Sequence, residues 1–344
     1  RHCCRELIWG LESMTDMQAV DSPAVWYGGE LSKNRDWILQ LDAGSRAELE
    51  AAAANVRARG ISLEDAKKED FDLPGLAPTL AAARAELGEG RGFVMIRGLP
   101  IGDYSADEIG AILWAIGAHL GVGVSQSTDG DRLGHVIDRG ATDRYYTAGG
   151  VIEPHVDPVD VVGLLCMRSA PEGGASRIIS AQAIHNIMLD ECPELLEHLY
   201  NGYHYSRRAH GGTVTEHRVP VFAKSDGAMQ SYLLPMTIRQ AEEEGYPLAA
   251  AEQAALDKIT EIASRPDVYL DMEFQPGDIQ FLNNRVIFHA RTDYRDDPDP
   301  ELKRLLLRIW LMMPDWPARA KDMNFIANTD RAGGGFIPDK VAVA

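Results

Sequence analysis

Cysteine is scarce in this chain of 344 residues: Cys3, Cys4, Cys166 and Cys192 form no Cys-x-x-Cys pair and no even spacing. A disulfide framework and a zinc ribbon are therefore excluded, and a reducing, cytoplasmic setting is the expectation. A run of about 18 apolar residues, the length a membrane helix needs, is also missing. The first residues lack the basic, apolar and small-residue succession of a secretory leader. Residues 1–13 read as an upstream extension ahead of Met14 and are set aside. Positive charge is in short supply, with 34 Lys and Arg against 52 Asp and Glu and a net charge of −18. Such a field repels phosphate backbones and anionic headgroups, so neither nucleic acid nor a membrane surface is an expected partner. An anionic small molecule needs locally placed Arg or Lys to overcome that background.

What is present, 45% hydrophobic and 25% charged residues, describes a folded chain. Residues 45–59 and 76–87 are Ala-rich with apolar positions three and four apart and end at Gly60 and Gly88, which predicts two helices. Gly92–Gly98 reads as a buried strand, and Ser105 caps a third helix running to about His119. From 122 to 154 the sequence turns polar and aperiodic, a long loop system or short hairpins. Val161–Met167 and Ser176–Ser180 are strands around a Gly173-Gly174 turn, and Ala181–Tyr200 is one helix. After another helix near 248–264 come four strand-like runs, Val268–Phe274, Asp278–Leu282, Arg285–His289 and Leu305–Met313. Strands before and after the middle helices, with no flexible linker, favour one β core with helices outside it. A doubly wound parallel sheet is disfavoured, since strand and helix do not alternate regularly and no Gly-x-Gly-x-x-Gly follows the first strand.

Three features carry chemistry. His155 stands two residues before Asp157, and in an extended strand positions i and i+2 share a face. Alone, the triplet reads more readily as a surface pair. His289 closes a strand-like run far downstream, where a lone histidine is ordinarily structural. Two histidines and one carboxylate, however, are the donor set of a facial triad for Fe(II) that leaves three adjacent positions open. Finally, Arg304, Leu306 and Arg308 alternate onto one face of the last strong strand, where two guanidinium groups call for an anionic partner.

Taken in order, Gly92–Pro100, His155-Val156-Asp157, Val161–Ser180, Asn283–Arg291 and Arg304–Trp310 resemble the taurine dioxygenase-like branch of the Fe(II)/2-oxoglutarate-dependent oxygenases, related to clavaminate synthase. The resemblance spans roughly residues 70–320. It implies a mainly β, α+β fold: a double-stranded β-helix, or jelly roll, with flanking helices, occupying residues 14–344 as one domain with loop insertions near 122–154 and 201–250. It implies that His155, Asp157 and His289 hold Fe(II), that Arg304 and Ser176 bind the distal carboxylate of 2-oxoglutarate, and that Arg308 meets an acidic group of the substrate. O₂ is the other co-substrate. The implied reaction is hydroxylation of an unactivated C–H bond in a small, carboxylate-bearing molecule such as an amino acid or other metabolite, 2-oxoglutarate becoming succinate and CO₂.

Departures from the family pattern bear on specificity. Asp157 retains its carboxylate, which argues against a halogenase. Pro158 stiffens a position that relatives often use for substrate contacts, and Ser231–Pro235 lacks an arginine many relatives carry there. Tyr146 in the 125–150 loops, and Tyr205 and Arg208 in a polar, aromatic segment, are candidates to line the mouth of the site. Desaturation, cyclisation or C–N cleavage at the same site is the alternative outcome. A non-catalytic jelly-roll binding protein with structural histidines is the rival from another class, and a homo-oligomer is compatible with the sequence.

Overall fold

The computed structural model describes residues 17–63, 65–127, 130–140, 149–208 and 212–323. The chain enters through a one-turn helix α1 (Gly28–Leu31) and strand β1 (Ile38–Gln40). Helices α2 (Ala43–Ala58) and α3 (Ala77–Gly88), strand β2 (Phe93–Arg97) and helix α4 (Ala106–Leu120) follow. Ser105 caps α4 reciprocally with Glu108, satisfying two backbone donors at once.

Strands β3 (Val122–Gly123), β4 (Leu133–Val136) and β5 (Ile152–His155) lie in the stretch read as loops or short hairpins. Then come β6 (Val161–Arg168), β7 (Glu172–Gly173) and β8 (Ser176–Ser180). The single helix expected over 181–200 is two, α5 (Ala181–Glu191) and α6 (Pro193–Asn201), because Pro193 lacks an N–H and its ring cannot follow a helical residue. Cys192 turns the chain between them at φ −157° and ψ 64°. The hairpin β9 (Phe222–Ser225) and β10 (Ala228–Ser231), then α7 (Pro235–Glu243) and α8 (Ala250–Ala263), precede the last strands. These are β11 (Tyr269–Met272), β12 (Ile279–Asn283), β13 (Ile287–Arg291), β14 (Tyr294–Arg295) and β15 (Leu305–Met312). The run anticipated at Arg285–His289 therefore sits two residues later, with Arg285 in the preceding turn.

Two sheets form the jelly roll. The larger has the order β1-β2-β12-β6-β15-β3, with β4 also on β15, and the smaller is β11-β8-β13-β5. Alternation sorts the side chains into three cores. On β15, Leu307, Ile309 and Leu311 point outward to pack against α2, α3 and α4, while Leu306 and Trp310 point in between the sheets. The outer side of the smaller sheet packs Ile179 and Phe288 against residues of α5, α6 and α8. Gly163 on β6 lets that first core close: a Cβ there would stand 2.5 Å from Phe281 and 2.7 Å from Ile309. Space between the sheets is thus left to inward-facing side chains near one end, and the polar ones gather there.

Candidate metal centre and its cavity

Sheet register brings the two histidines together. His155 is the direct antiparallel partner of His289 across β5 and β13, and their rings lie 4.2 Å apart. The pairing then slips by one residue between His289 and Arg291, a bulge that turns both Ile152 and His155 toward the cavity. Past the strand end the chain stays extended, so Val156 enters the outer core and Asp157 returns to the inner side. The Asn284 side chain fixes that position by accepting the Asp157 N–H at 3.0 Å. One ligand-type atom from each of His155, Asp157 and His289 then lies within 4.8 Å of the others, all three residues being buried.

The electrostatics suit a divalent cation. Burial depresses the basicity of His155, and burial together with the neighbouring His155 pushes His289 down to about 3. Both rings are therefore neutral near pH 7. Burial opposes ionisation of Asp157, yet the Arg308 charge and the Trp310 N–H outweigh it and hold the carboxyl below its ordinary value. Neutral imidazoles and an ionised carboxylate are the protonation states that metal ligation requires. His155 Nδ1 lies 2.9 Å from the Glu153 carbonyl, which orients the ring, while buried His289 Nδ1 has no hydrogen-bond partner among the described residues. An orphaned nitrogen in a buried donor cluster marks a functional position rather than a packing one.

Strand β15 supplies the opposite wall. Its inward side carries Leu306, Arg308 and Trp310, and Arg304 directly before it continues the row. Trp310 Nε1 donates to Asp157 at 3.1 Å, and Arg308 Nη1 approaches both Asp157 oxygens at 3.2 and 3.4 Å. The Arg308 Nε donates to the Gln126 side chain at 2.7 Å. Arg308, expected to meet a substrate acid, is in this structure engaged with Asp157 and Gln126 while still lining the cavity. Arg304 has no carboxylate within ion-pair distance among the described residues; its guanidinium reaches only the Gly174 carbonyl, at 3.3 Å. Burial and the nearby Arg291 lower it to about 10. Ser176 faces the same cavity of about 60 Å³, donating to buried Gln280 at 2.9 Å.

Two sequence-level candidates fall elsewhere. Tyr205 is a buried member of the outer core against the smaller sheet, its hydroxyl directed at the Tyr232 carbonyl; its polar neighbours suggest a rim residue, whereas its ring fills that core. Arg208 is exposed and paired with Glu243 of α7 at 2.7 Å, a surface ion pair away from the cavity. Tyr146 lies outside the described residues. Sequence reasoning missed Trp310, although it follows Arg308 by one strand repeat, and Arg291, which follows His289 in the same way. Gln126 and Gln280 gave no signal, since a glutamine has no periodicity of its own.

The taurine catabolism dioxygenase TauD, TfdA family model matches residues 58–310, and the chain belongs to that family of Fe(II)/2-oxoglutarate-dependent dioxygenases. It is 30% identical over 304 residues to FR-33289 synthase of Streptomyces rubellomurinus, covering 85% of this chain and 90% of that one. The taurine hydroxylase-like protein SAT17 of Stachybotrys chartarum is 26% identical over 344 residues, covering 91% and 86%. Among solved structures, an asparagine oxygenase in complex with Fe(II), 2S,3S-3-hydroxyasparagine and succinate superposes with a TM-score of 0.66 at 16% identity, over 80% of this chain and 93% of the other. The non-heme iron oxygenase OrfP with Fe and alpha-ketoglutaric acid gives 0.59 at 15%, over the same shares. Fe(II) and 2-oxoglutarate are the cofactor and co-substrate of this enzyme class.

Proposed function

We propose that His155, Asp157 and His289 hold the Fe(II) and that Arg304, with Ser176, receives the distal carboxylate of 2-oxoglutarate. The observation that carries this reading is one small cavity with a convergent histidine, aspartate and histidine cluster and a buried guanidinium, Arg304, that has no carboxylate partner among the described residues. When bound, the iron and 2-oxoglutarate supply the oxidising power that inserts oxygen into a C–H bond. The protein's part is placement. Trp310 and Arg308 orient the Asp157 carboxylate, and the Glu153 carbonyl orients His155. Val136, Ile152, Leu164, Phe274 and Leu306 exclude water around them.

The substrate we assign is a small molecule bearing a carboxylate, an amino acid or a derivative, with Arg308 as its anchor. Support comes from a guanidinium on the cavity wall in a chain of net charge −18, and from the hydroxylated amino acids in the asparagine oxygenase and OrfP complexes. For Arg308 to serve, a substrate anion competes with Asp157 for its Nη1, which the long contacts of 3.2 and 3.4 Å favour. Hydroxylation is the expected outcome; desaturation would use the same residues, and product mass separates them by one oxygen gained or two hydrogens lost.

No helix among the described residues is long and apolar enough to cross a membrane. Free, buried Cys166 and Cys192 fit a reducing cytoplasm. The test is a screen of amino acids and related acids for substrate-triggered succinate release, preceded by anaerobic addition of Fe(II) and 2-oxoglutarate. A visible charge-transfer band and at least one triggering acid are expected; a silent spectrum with both bound would overturn the reading.

A further inference from the structure

The geometry points to Arg291 as a second guanidinium for the distal carboxylate of 2-oxoglutarate, closing on it from the sheet opposite Arg304. The inference rests on the assignment of Arg304 and Ser176 made above. Arg291 follows His289 by two residues on β13, so alternation turns it to the same inner side. In the β13–β8 ladder it is the direct partner of Ser176, and both line the cavity that Arg304 enters from the larger sheet. The guanidinium carbons of Arg291 and Arg304 stand 4.7 and 5.6 Å from the centre of one ring, Tyr294, so both side chains reach the same end of the cavity.

Two buried cations on the wall of one cavity are costly to assemble without an anion there. The nearby acid does not resolve this for Arg304: Asp296 Oδ1 accepts its backbone N–H at 2.6 Å, and Asp296 Oδ2 has no hydrogen-bond partner among the described residues. A planar carboxylate entering here accepts from Arg304 and Arg291 on opposite walls, and Ser176 joins by turning its hydroxyl proton from Gln280 to the ligand. The competing role for Arg291 is structural, since its Nε donates to the Gly150 carbonyl at 2.9 Å and so ties down the segment leading into β5.

Calorimetry on Mn(II)-loaded protein, which does not turn over, separates the two roles. The probes are 2-oxoglutarate and 2-oxopentanoate, which share the 2-oxo acid head and chain length and differ in the distal carboxylate. Arg291→Gln keeps a donor for Gly150 and removes the charge; it should weaken 2-oxoglutarate about ten- to a hundredfold and leave 2-oxopentanoate unchanged, with Arg291→Lys recovering part of the loss. Equal weakening of both ligands, or of neither, while Arg304→Met still discriminates between them, would overturn the Arg291 role. Should Arg304→Met fail to discriminate too, the underlying co-substrate reading falls with it.

Discussion

Asp157 and Asp160 stand three residues apart on one loop, each facing arginine from the last part of the chain, and they are held in opposite ways. Asp160 is fully buried and saturated. It accepts from Arg285 at 2.8 and 3.0 Å, from Arg319 at 3.2 Å and from the Met313 N–H at 3.0 Å. Those bonds pull the 157–160 loop, the turn before β13 and the segment after β15 into one knot. Asp157 has two donors, Trp310 and a long-armed Arg308, and opens onto the cavity. A carboxylate with every acceptor site filled is a fastener, whereas one with capacity left over can take a further cation. The same division separates the arginines: Arg285 and Arg319 meet a buried acid, and Arg304 meets none among the described residues.

Removing each acid should therefore fail in different assays. Asp157→Ala is expected to abolish turnover and strip iron affinity while costing the apo-protein about 1–2 kcal/mol, because Arg308 retains Gln126. Asp160→Ala leaves two guanidinium groups buried without their acid and should cost about 3–5 kcal/mol in denaturant unfolding. Succinate formation surviving in Asp157→Ala, or an unfolding midpoint unmoved in Asp160→Ala, would dissolve the distinction.

Arg304 sharpens the contrast, since a charge buried without a carboxylate is a liability until a ligand arrives. Arg304→Met should leave the melting temperature of the apo-protein unchanged or higher, and raise the 2-oxoglutarate concentration needed for half-maximal rate about ten- to a hundredfold. Arg285→Met should do the reverse, lowering stability by taking from Asp160 its two shortest bonds from an arginine and leaving the 2-oxoglutarate requirement alone in whatever protein folds. A destabilised Arg304→Met with ordinary 2-oxoglutarate dependence would place Arg304 with the fasteners.

How much of this was legible beforehand follows from which signals are local. The His155–Asp157 spacing and the Arg304–Leu306–Arg308 alternation are strand periodicities, written into adjacent residues, and the family resemblance put them in order. The strands of the core were readable for the same reason. One helix over 181–200 is what the apolar period predicts, because that period continues through Pro193 while the missing N–H breaks the chain into two. The polar neighbours of Tyr205 say little about where its ring packs, which is away from the cavity. Asp160, Gln126 and Gln280 leave no signal in the sequence: their partners Arg285, Arg308 and Ser176 lie between 104 and 182 residues away, and only the pairing and packing of the sheets bring them close. Long-range polar satisfaction is a property of the folded backbone, and one sequence carries no trace of it until the sheets are paired.

Acidity probes the cavity side of the comparison most gently. His289 titrates near 6.5 when unfolded and about 3 when folded, and His155 is depressed as well. The folded apo-protein therefore binds fewer protons than the unfolded chain between those values, so stability is full above about pH 6.5 and declines as the pH falls toward 3. At pH 5 the loss from His289 is at most about 2 kcal/mol, and His155 adds to it in the same direction. Denaturant unfolding of the apo-protein at pH 7.5 and pH 5 measures it. His289→Gln, which keeps a polar side chain but cannot titrate there, should reduce the difference; a slope undiminished in the double variant His155→Gln/His289→Gln would locate the acid-sensitive groups away from the two histidines.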